Sequence, residues 1–305
     1  SGRIYGIGST VRRFLGNFKS GETWETCGPH SAGNGALMRI APMLIPHLKS
    51  GGTGIWSNTA LSAMMTHNDR AAISSAVAFV GMLWELLNMS SPPAKDWWIE
   101  RYVSLAKDLE GEETRFRPRS RRIGDYRGPL WRFVEEKVSG ANAEGLSVLE
   151  ACNSWYSGAY LLETVPCVLY ILMCHAQDPE EAIVRAVNDT KDNDTIAAIV
   201  GSAVGALHGR DAFPEQWIEN LSGRTTGQDD GYIFELMDDA KATFWKEPPV
   251  INLDATQMDS DWIKYMDPNH PLRLPGETNA EFMKRNPIKD YLEGKIDRFG
   301  NQIVK

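Results

Sequence analysis

Apolar residues recur at intervals of three and four along most of the first 246 positions, and this spacing predicts amphipathic helices. The predicted helices cover residues 9–19, 36–48, 58–66, 69–89, 179–187 and 195–208, with a buried helix that Pro166 kinks or ends early within 159–176. Neither a clear period-two alternation nor an Asn-Gly or Asp-Gly hairpin between β-branched runs occurs in the sequence. The pattern therefore predicts an all-α domain built from many helices.

Short polar residues precede several of these segments, and their side chains can accept hydrogen bonds from the first free amides of a helix. The predicted N-caps are Ser9 or Thr10, Ser57, Asn68 or Asp69, Asp178 and Asp194. Pro179 strengthens the start at Asp178, because proline fits the first helical position. The junction between two predicted helices falls at Thr66-His67-Asn68-Asp69.

The character of the sequence changes after about residue 246, where prolines are spaced through polar and charged residues. We expect two parts: a helical domain over residues 1–246 and a Pro-rich C-terminal extension over residues 247–305. The extension is predicted to hold short helices near 279–284 and 290–293, and to lie over the core or contact a partner.

Composition and charge narrow the classes of function. The 305 residues are 42% hydrophobic and 24% charged, which is ordinary for a globular protein, and the net charge of −8 argues against a general attraction to nucleic acid or anionic membranes. The four cysteines match no zinc spacing and are expected to be buried free thiols. No signal peptide or bilayer-length apolar run is apparent, so we expect a cytoplasmic protein.

Residues 188–195 hold three aspartates, two threonines and two asparagines at the entry to an apolar helix. Carboxylates this close repel one another when partly buried, and a divalent cation would remove the repulsion. Oxygen ligands without His or Cys suit Mg²⁺, Mn²⁺ or Ca²⁺. The alternative is that Asp194 only caps the helix, while Asp189 and Asp192 are solvated turn residues.

Glycines at Gly33-Asn34-Gly35 precede the apolar run 36–48, where backbone amides at a helix start could hold a phosphate. The alternative is a plain turn between loop and helix.

A basic run over residues 115–122 is expected to be a solvated loop, with anion binding as the second interpretation.

Taken together, four motifs resemble those of the ADP-ribosylglycohydrolase family. Residues 33–42 (GNGALMRIAP) are similar to its G-N-G-x-x-M-R-x-x-P signature, and residues 186–201 to its A-V-N-x-x-x-D-x-D-T-x-A-A-x-x-G signature. Between these two lie Thr66-His67-Asn68-Asp69, which resembles a T-H-x-D junction, and residues 157–165, which resemble S-G-Y-V-x-x-T-V. The motifs follow the family's order over residues 4–209, so together they are more specific than any one alone.

The resemblance implies a compact orthogonal multi-helix domain that hydrolyses the N- or O-glycosidic bond between ADP-ribose and a protein side chain or small acceptor. It implies that Asp192, Asp194 and Thr195 form half of a two-Mg²⁺ site, with Mn²⁺ as another suitable ion, and that Asp192 and Asp194 position and deprotonate a water. It further implies that ADP-ribose is bound by Gly33, Asn34, Gly35, Met38, His67, Asn68, Trp155, Ser157, Gly158 and Tyr160.

Other functions remain open at this point. A non-catalytic ADP-ribose or nucleotide-binding protein of the same fold is the main alternative, and a structural protein whose C-terminal extension binds a partner is another. The resemblance does not specify the acceptor.

The sequence also departs from the family pattern. Lys191 stands where the family usually has glycine, so its ammonium could compete with a metal or shield a phosphate, and Asp189 stands where an apolar residue is usual. The family's G-D-A-L-G element, Glu and T-D-D triplet have no counterpart before Ser1, and Thr225-Thr226-Gly227-Gln228-Asp229-Asp230 is not a confident substitute. We expect a truncated or processed piece of a longer enzyme; a half-site from a second chain and a degenerate binder are the alternatives.

The missing first helices would leave the apolar faces of residues 36–48 and 195–208 uncovered, and large exposed apolar patches are rare on soluble proteins. We therefore expect the C-terminal extension, a second chain or further N-terminal residues to pack there and to supply another carboxylate.

Overall fold

The computed structural model describes residues 7–48, 54–120, 123–221 and 232–245. All regular structure within these ranges is helical, and β pairing there is limited to the isolated bridges Gly33–Tyr160 and Phe116–Gly128. The prediction of an all-α fold is confirmed. The C-terminal extension with its two predicted short helices, and residues 225–230, lie outside the described residues.

The α-helices, numbered in chain order, are α1 (Ser9–Lys19), α2 (Ile55–Thr66), α3 (Arg70–Leu86), α4 (Trp97–Glu110), α5 (Leu130–Glu144), α6 (Val148–Trp155), α7 (Leu161–His175), α8 (Pro179–Asn188), α9 (Asn193–His208), α10 (Glu215–Leu221) and α11 (Tyr232–Phe244). Short 3-10 segments occupy Leu37–Arg39, Ala41–His47 and Arg210–Ala212.

Two helices, α3 and α7, form the centre of the core. Both are buried on almost every side, as expected for helices that carry apolar or small residues all round. The helices α4, α5, α6, α8 and α9 pack around α7, while α2, α4 and α9 pack on α3. Pro166 lies inside α7 without ending it, so the prediction of an early end there is wrong.

Two of the predicted N-caps are confirmed. The Asp69 carboxylate accepts hydrogen bonds from the Ala71 and Ala72 amides (2.9 and 3.3 Å), and the Asp178 carboxylate accepts one from the Glu181 amide (3.0 Å). Each acid lies just before its helix with an extended backbone, which lets its side chain turn back over the first amides.

Three other predicted caps are wrong because the residues lie inside their helices. Ser9 is the first residue of α1, and α2 begins at Ile55, two residues before Ser57. The helix α9 begins at Asn193, so Asp194 already has helical backbone and Asp192 precedes the helix without a side-chain cap.

The predicted helix over residues 36–48 is also wrong. The chain there forms two 3-10 segments, Leu37–Arg39 and Ala41–His47. Pro42 and Pro46 lack the amide hydrogen that an α-helix needs for its i to i−4 bonds, so an apolar run alone does not produce one. The second segment packs against α11, and the Trp245 Nε1 donates to the Ile45 carbonyl at 3.1 Å. Residues before the extension therefore cover part of this segment.

The cysteines match their prediction, since all four are free, with Cys27, Cys152 and Cys167 buried and Cys174 partly buried. Across the described ranges, every helix is too short or too polar to cross a membrane.

Candidate functional site

Residues 32–34 lie beside residues 159–161, although the two segments are far apart in sequence. The Asn34 amide donates to the Ala159 carbonyl at 3.1 Å, and the Leu161 amide donates to the Ala32 carbonyl at 3.0 Å. These bonds hold the glycine-flanked Asn34 at the N-terminal end of the central helix α7.

The Asn34 side chain links two of the sequence motifs. It is buried, and its Nδ2 donates to Thr164 Oγ1 at 2.9 Å and to Asp192 Oδ2 at 2.5 Å. A primary amide has two hydrogens, so both bonds can form together. Because Thr164 in turn donates to the Gly158 carbonyl at 2.8 Å, the position of the Asp192 carboxylate is set through the rigid start of α7.

The segment 189–195 holds Asp189, Asp192 and Asp194 and is called the aspartate loop below. A strained turn lies on its other side. Tyr156 and Ser157 have φ of 79° and 46°, values that side-chain-bearing residues rarely adopt. The Ser157 carbonyl accepts hydrogen bonds from the Lys191 and Asp192 amides (3.2 and 3.0 Å), and Ser157 Oγ accepts a further one from the Lys191 amide at 3.2 Å. The turn and the aspartate loop are thus fastened to each other by backbone bonds.

Gly158 allows the turn to lie close to α7. A Cβ at this position would approach Glu163 Oε2 to 2.6 Å, too close for a carbon and an oxygen. Glu163 is fully buried, and its carboxylate receives a two-pronged ion pair from Arg119, with Nε to Oε1 at 2.7 Å and Nη2 to Oε2 at 2.5 Å. The basic run is a loop whose Arg115, Arg117 and Arg119 are exposed, as expected, and the Arg119 guanidinium in addition neutralises a buried acid.

Asp194 and Thr195 are arranged differently from Asp192. Asp194 is exposed, and its Oδ1 accepts a hydrogen bond from the Thr195 amide at 2.8 Å. Thr195 is buried, and its Oγ1 lies 3.7 Å from the Met38 sulfur, to which it donates. The aspartate loop thereby also contacts the segment that follows Gly33-Asn34-Gly35.

The donor chemistry of Asp192, Asp194 and Thr195 fits a hard cation, because all three offer oxygen. The described part of the chain, however, contains no group of three or more His, Cys, Asp or Glu side chains arranged for a metal ion. These three residues alone could therefore supply only part of the ligands that a metal ion needs. Asp189, at the start of the same loop, belongs to a different set: it is buried and forms an ion pair with Arg185 at 3.2 Å.

His67 lies against Gly33-Asn34-Gly35, which is called the glycine turn below. It is buried, and a Cβ added at Gly35 would come within 2.7 Å of its Cε1 and 3.0 Å of its Nε2. Burial, and secondarily the charge of Arg39, lower the pKa of His67 to about 4, so its ring is neutral at physiological pH. Asn68 is half-buried and its amide donates to the Pro29 carbonyl at 3.1 Å.

The aromatic residues near Ser157 divide into buried and accessible ones. Trp155 is buried and packs edge-on against Tyr170 with ring centroids 5.8 Å apart, so its indole has no open face for a ligand. Tyr156 is exposed, and the Lys191 Nζ lies 3.5 Å from the centre of its ring. Tyr160 is partly buried, which raises the pKa of its hydroxyl to about 12.

Sequence reasoning missed Tyr156, Arg119, Glu163 and Thr164 as parts of this region. Glu163 and Thr164 lie within the motif at residues 157–165, and an acid inside an apolar helix is itself a signal, since buried carboxylates need a partner. Nothing in the sequence indicated that Arg119 is that partner, because the contact spans 44 positions.

Comparisons with known proteins identify the family. The family model described as ADP-ribosylglycohydrolase matches residues 1–248. The chain is 25% identical over 257 residues to the ADP-ribosylarginine hydrolase Tri1 of Pseudomonas putida, covering 84% of this chain and 58% of that protein. It is 31% identical over 220 residues to an uncharacterized protein of Archaeoglobus fulgidus, covering 72% and 63%.

A human protein named ADP-ribosylhydrolase ARH3 is 25% identical over 237 residues, covering 72% of this chain and 64% of that protein. The matches to these three relatives thus extend over about three fifths of each relative's length. With the family model spanning most of its 305 residues, the chain belongs to the ADP-ribosylglycohydrolase family.

Proposed function

We propose that this protein hydrolyses the glycosidic bond between ADP-ribose and a protein side chain or small acceptor, and that the reaction depends on Mg²⁺. Family membership and the names of two relatives, an ADP-ribosylarginine hydrolase and an ADP-ribosylhydrolase, support this class of reaction. The observation that supports it most is the 2.5 Å hydrogen bond from Asn34 to Asp192, which holds the glycine turn against the aspartate loop.

The metal would be held by Asp192, Asp194 and Thr195, with other positions filled by water, by ligand or by groups beyond these three. A bound Mg²⁺ would lower the pKa of a coordinated water and orient it for attack on a sugar carbon. Asn34 holds one oxygen of Asp192, which leaves the other oxygen available as a metal ligand.

The glycine turn would receive the anionic part of the substrate. Gly33 and Gly35 have no side chains, so the His67 ring packs directly against the backbone of the turn. Local neutral donors of this kind are suited to a diphosphate in a protein whose net charge is −8. Tyr156 and Tyr160 offer aromatic surface next to Ser157 for a base or ribose.

A peptide that carries ADP-ribose on arginine tests the proposal. The 305-residue chain is expected to release ADP-ribose in millimolar Mg²⁺ and to release none with excess EDTA. Asp192→Asn and Asp194→Asn are each expected to reduce the rate by about 100-fold, because each removes a charged metal ligand. Asp211→Asn, which changes an exposed acid in the Arg210–Ala212 segment, is the matched control and is expected to stay within about twofold.

A second candidate is an ADP-ribose-binding protein without hydrolase activity. It is favoured by one observation, namely that the described residues contain no group of three metal-binding side chains. Calorimetry separates the two: binding of ADP-ribose by a chain that releases none from arginine-, serine- or small-molecule-linked substrates in Mg²⁺ or Mn²⁺ would establish the binding protein and contradict the hydrolase.

A further inference from the structure

A chain of polar side chains lies behind the glycine turn and ends at His67. Arg39 donates through Nη2 to Thr66 Oγ1 at 2.9 Å, and Thr66 Oγ1 lies 3.0 Å from His67 Nδ1. Arg39 is also anchored to Ser62, with Nη2 to the carbonyl at 2.7 Å and Nη1 to Oγ at 2.9 Å. Ser62 and Thr66 lie one turn apart on α2, and their oxygens together hold the Arg39 guanidinium in place.

The directions of these hydrogen bonds follow from chemistry. A guanidinium can only donate, so Thr66 Oγ1 accepts from Arg39. The single hydroxyl proton of Thr66 is then available for His67 Nδ1, and among the described residues the Thr66 hydroxyl has no other acceptor. Nδ1 consequently accepts, and the one proton of the neutral ring lies on Nε2.

The neutral ring is itself favoured by its surroundings. His67 is 3% exposed and the charged Arg39 lies behind it, so a second ring proton would be poorly hydrated and would be repelled by the guanidinium. Among the described residues, the groups recorded as acting on the ring are the Arg39 charge and the Thr66 hydroxyl, and neither is an acid.

The Nε2 end of the ring faces the glycine turn. A Cβ placed on Gly35 would lie 3.0 Å from Nε2 and one placed on Gly33 would lie 3.5 Å from it. Within the described residues Nε2 has no hydrogen-bond partner, although its side chain is more than nine-tenths buried. Nε2 is not among the fully buried side-chain atoms that lack a partner in the described residues, so it keeps some solvent access and a ligand oxygen at the turn could accept its proton.

We infer that Arg39 is a positioning residue: through Thr66 it holds His67 as the Nε2–H tautomer, whose proton is a hydrogen-bond donor to an anionic ligand oxygen at the Gly33–Gly35 turn. The nature of the ligand, a phosphate-bearing nucleotide such as ADP-ribose, rests on the proposed function. The order of the hydrogen bonds from Arg39 through Thr66 to His67 does not depend on the proposed function.

Two measurements test this inference. The ¹⁵N shifts of His67 in the full chain labelled at histidine report which ring nitrogen carries the proton, and calorimetry gives the Kd for ADP-ribose. Thr66→Val removes the hydroxyl at nearly constant volume, and Arg39→Met removes its donors. The control is Ser104→Ala, which removes an exposed helix hydroxyl that contacts a different arginine, Arg101 on α4.

In the wild type we expect Nε2 protonated and Nδ1 unprotonated from pH 6 to 8. Thr66→Val and Arg39→Met are expected to give a mixture of tautomers and to raise the Kd for ADP-ribose by about fivefold to tenfold, while Ser104→Ala stays within about twofold. A wild-type ring that is protonated on Nδ1 overturns the inference, as does a Thr66→Val variant that keeps both the tautomer and the affinity.

The two proposals fail in different ways. If the wild type shows the expected tautomer but binds neither ADP-ribose nor inorganic pyrophosphate, the ligand assignment and the proposed function are both wrong. If the wild type binds ADP-ribose with His67 in the other tautomer, only the role of Arg39 is wrong.

Discussion

Two acidic regions meet at the Tyr156–Gly158 turn, and their carboxylates are satisfied in different ways. Glu163 is fully buried and receives a two-pronged ion pair from Arg119. Asp192 has one oxygen held by Asn34, and Asp194 is exposed with the Thr195 amide as its only donor within the described residues. A carboxylate whose oxygens are all taken by the protein stabilises the fold, whereas one with free lone pairs can bind a cation or ligand.

The same contrast occurs within the aspartate loop. Asp189 is buried against Arg185, while Asp194, five residues later, has no cationic side chain as a partner in the described residues. Position in the sequence therefore does not distinguish structural from functional acids in this loop. The side chains that pair with each acid do distinguish them. The predictions below test this division.

The largest expected effect on stability is from Arg119→Met. This change leaves the Glu163 carboxylate buried without a counter-charge, and we expect the free energy of unfolding to fall by about 3 kcal/mol in urea denaturation at pH 7. Arg117→Met, in the same loop with an exposed side chain, is the control. Equal stability of the two variants would show that the ion pair does not support the turn.

His67 is expected to make stability depend on pH. Its pKa is about 4 in the folded protein and about 6.5 when unfolded, so the unfolded state binds more protons between these values. The stabilisation that the neutral His67 gives to the folded protein is complete above pH 6.5 and is lost as pH falls towards 4. Relative to His67→Gln, the wild type should lose about 3 kcal/mol between pH 7 and pH 4. Parallel pH profiles of the two proteins would contradict a neutral, buried His67.

Asp189→Asn should have a smaller effect, a loss of about 1 kcal/mol in unfolding free energy, because its ion pair with Arg185 is only partly shielded from water. Its affinity for Mg²⁺ should be unchanged, since its carboxylate is occupied by Arg185. A weakened Mg²⁺ affinity in this variant, measured by calorimetry, would place Asp189 in the ligand site and remove the distinction drawn within the loop.

Asp194→Asn should have the smallest effect on stability, within about 0.5 kcal/mol, since the side chain is exposed and an amide oxygen can still accept from Thr195. The affinity of Asp194→Asn for Mg²⁺ should fall, whereas that of Asp189→Asn should not change. A strong loss of stability with unchanged Mg²⁺ binding would make Asp194 a structural residue.

Much of the fold could be predicted from the sequence, because periodicity and local capping chemistry are local properties. Asp69 and Asp178 cap their helices as expected, and α3 and α9 lie close to their predicted bounds. The failures also have local causes: Pro42 and Pro46 break an apolar run into 3-10 segments, and Asp194 lies inside a helix that begins one residue earlier.

The candidate site was less predictable, since its geometry depends on contacts between distant positions. Motif order predicted that Gly33-Asn34-Gly35 and Asp192-Asn193-Asp194 share a site, but the bond that joins them, from Asn34 to Asp192, spans 158 positions. The pairing of Arg119 with Glu163 and the burial of Trp155 depend on how helices pack, which neither composition nor spacing records.

The central claim is that the glycine turn and the aspartate loop form one ligand site, and a double-mutant cycle between Asn34 and Asp192 tests it most directly. The Kd for ADP-ribose in millimolar Mg²⁺ is measured for the wild type, Asn34→Ala, Asp192→Ala and the double variant, each first shown to be folded by its Tm. We expect a coupling free energy of at least about 1 kcal/mol, because removing either partner abolishes the shared hydrogen bond. Additive losses within about 0.3 kcal/mol would contradict the account.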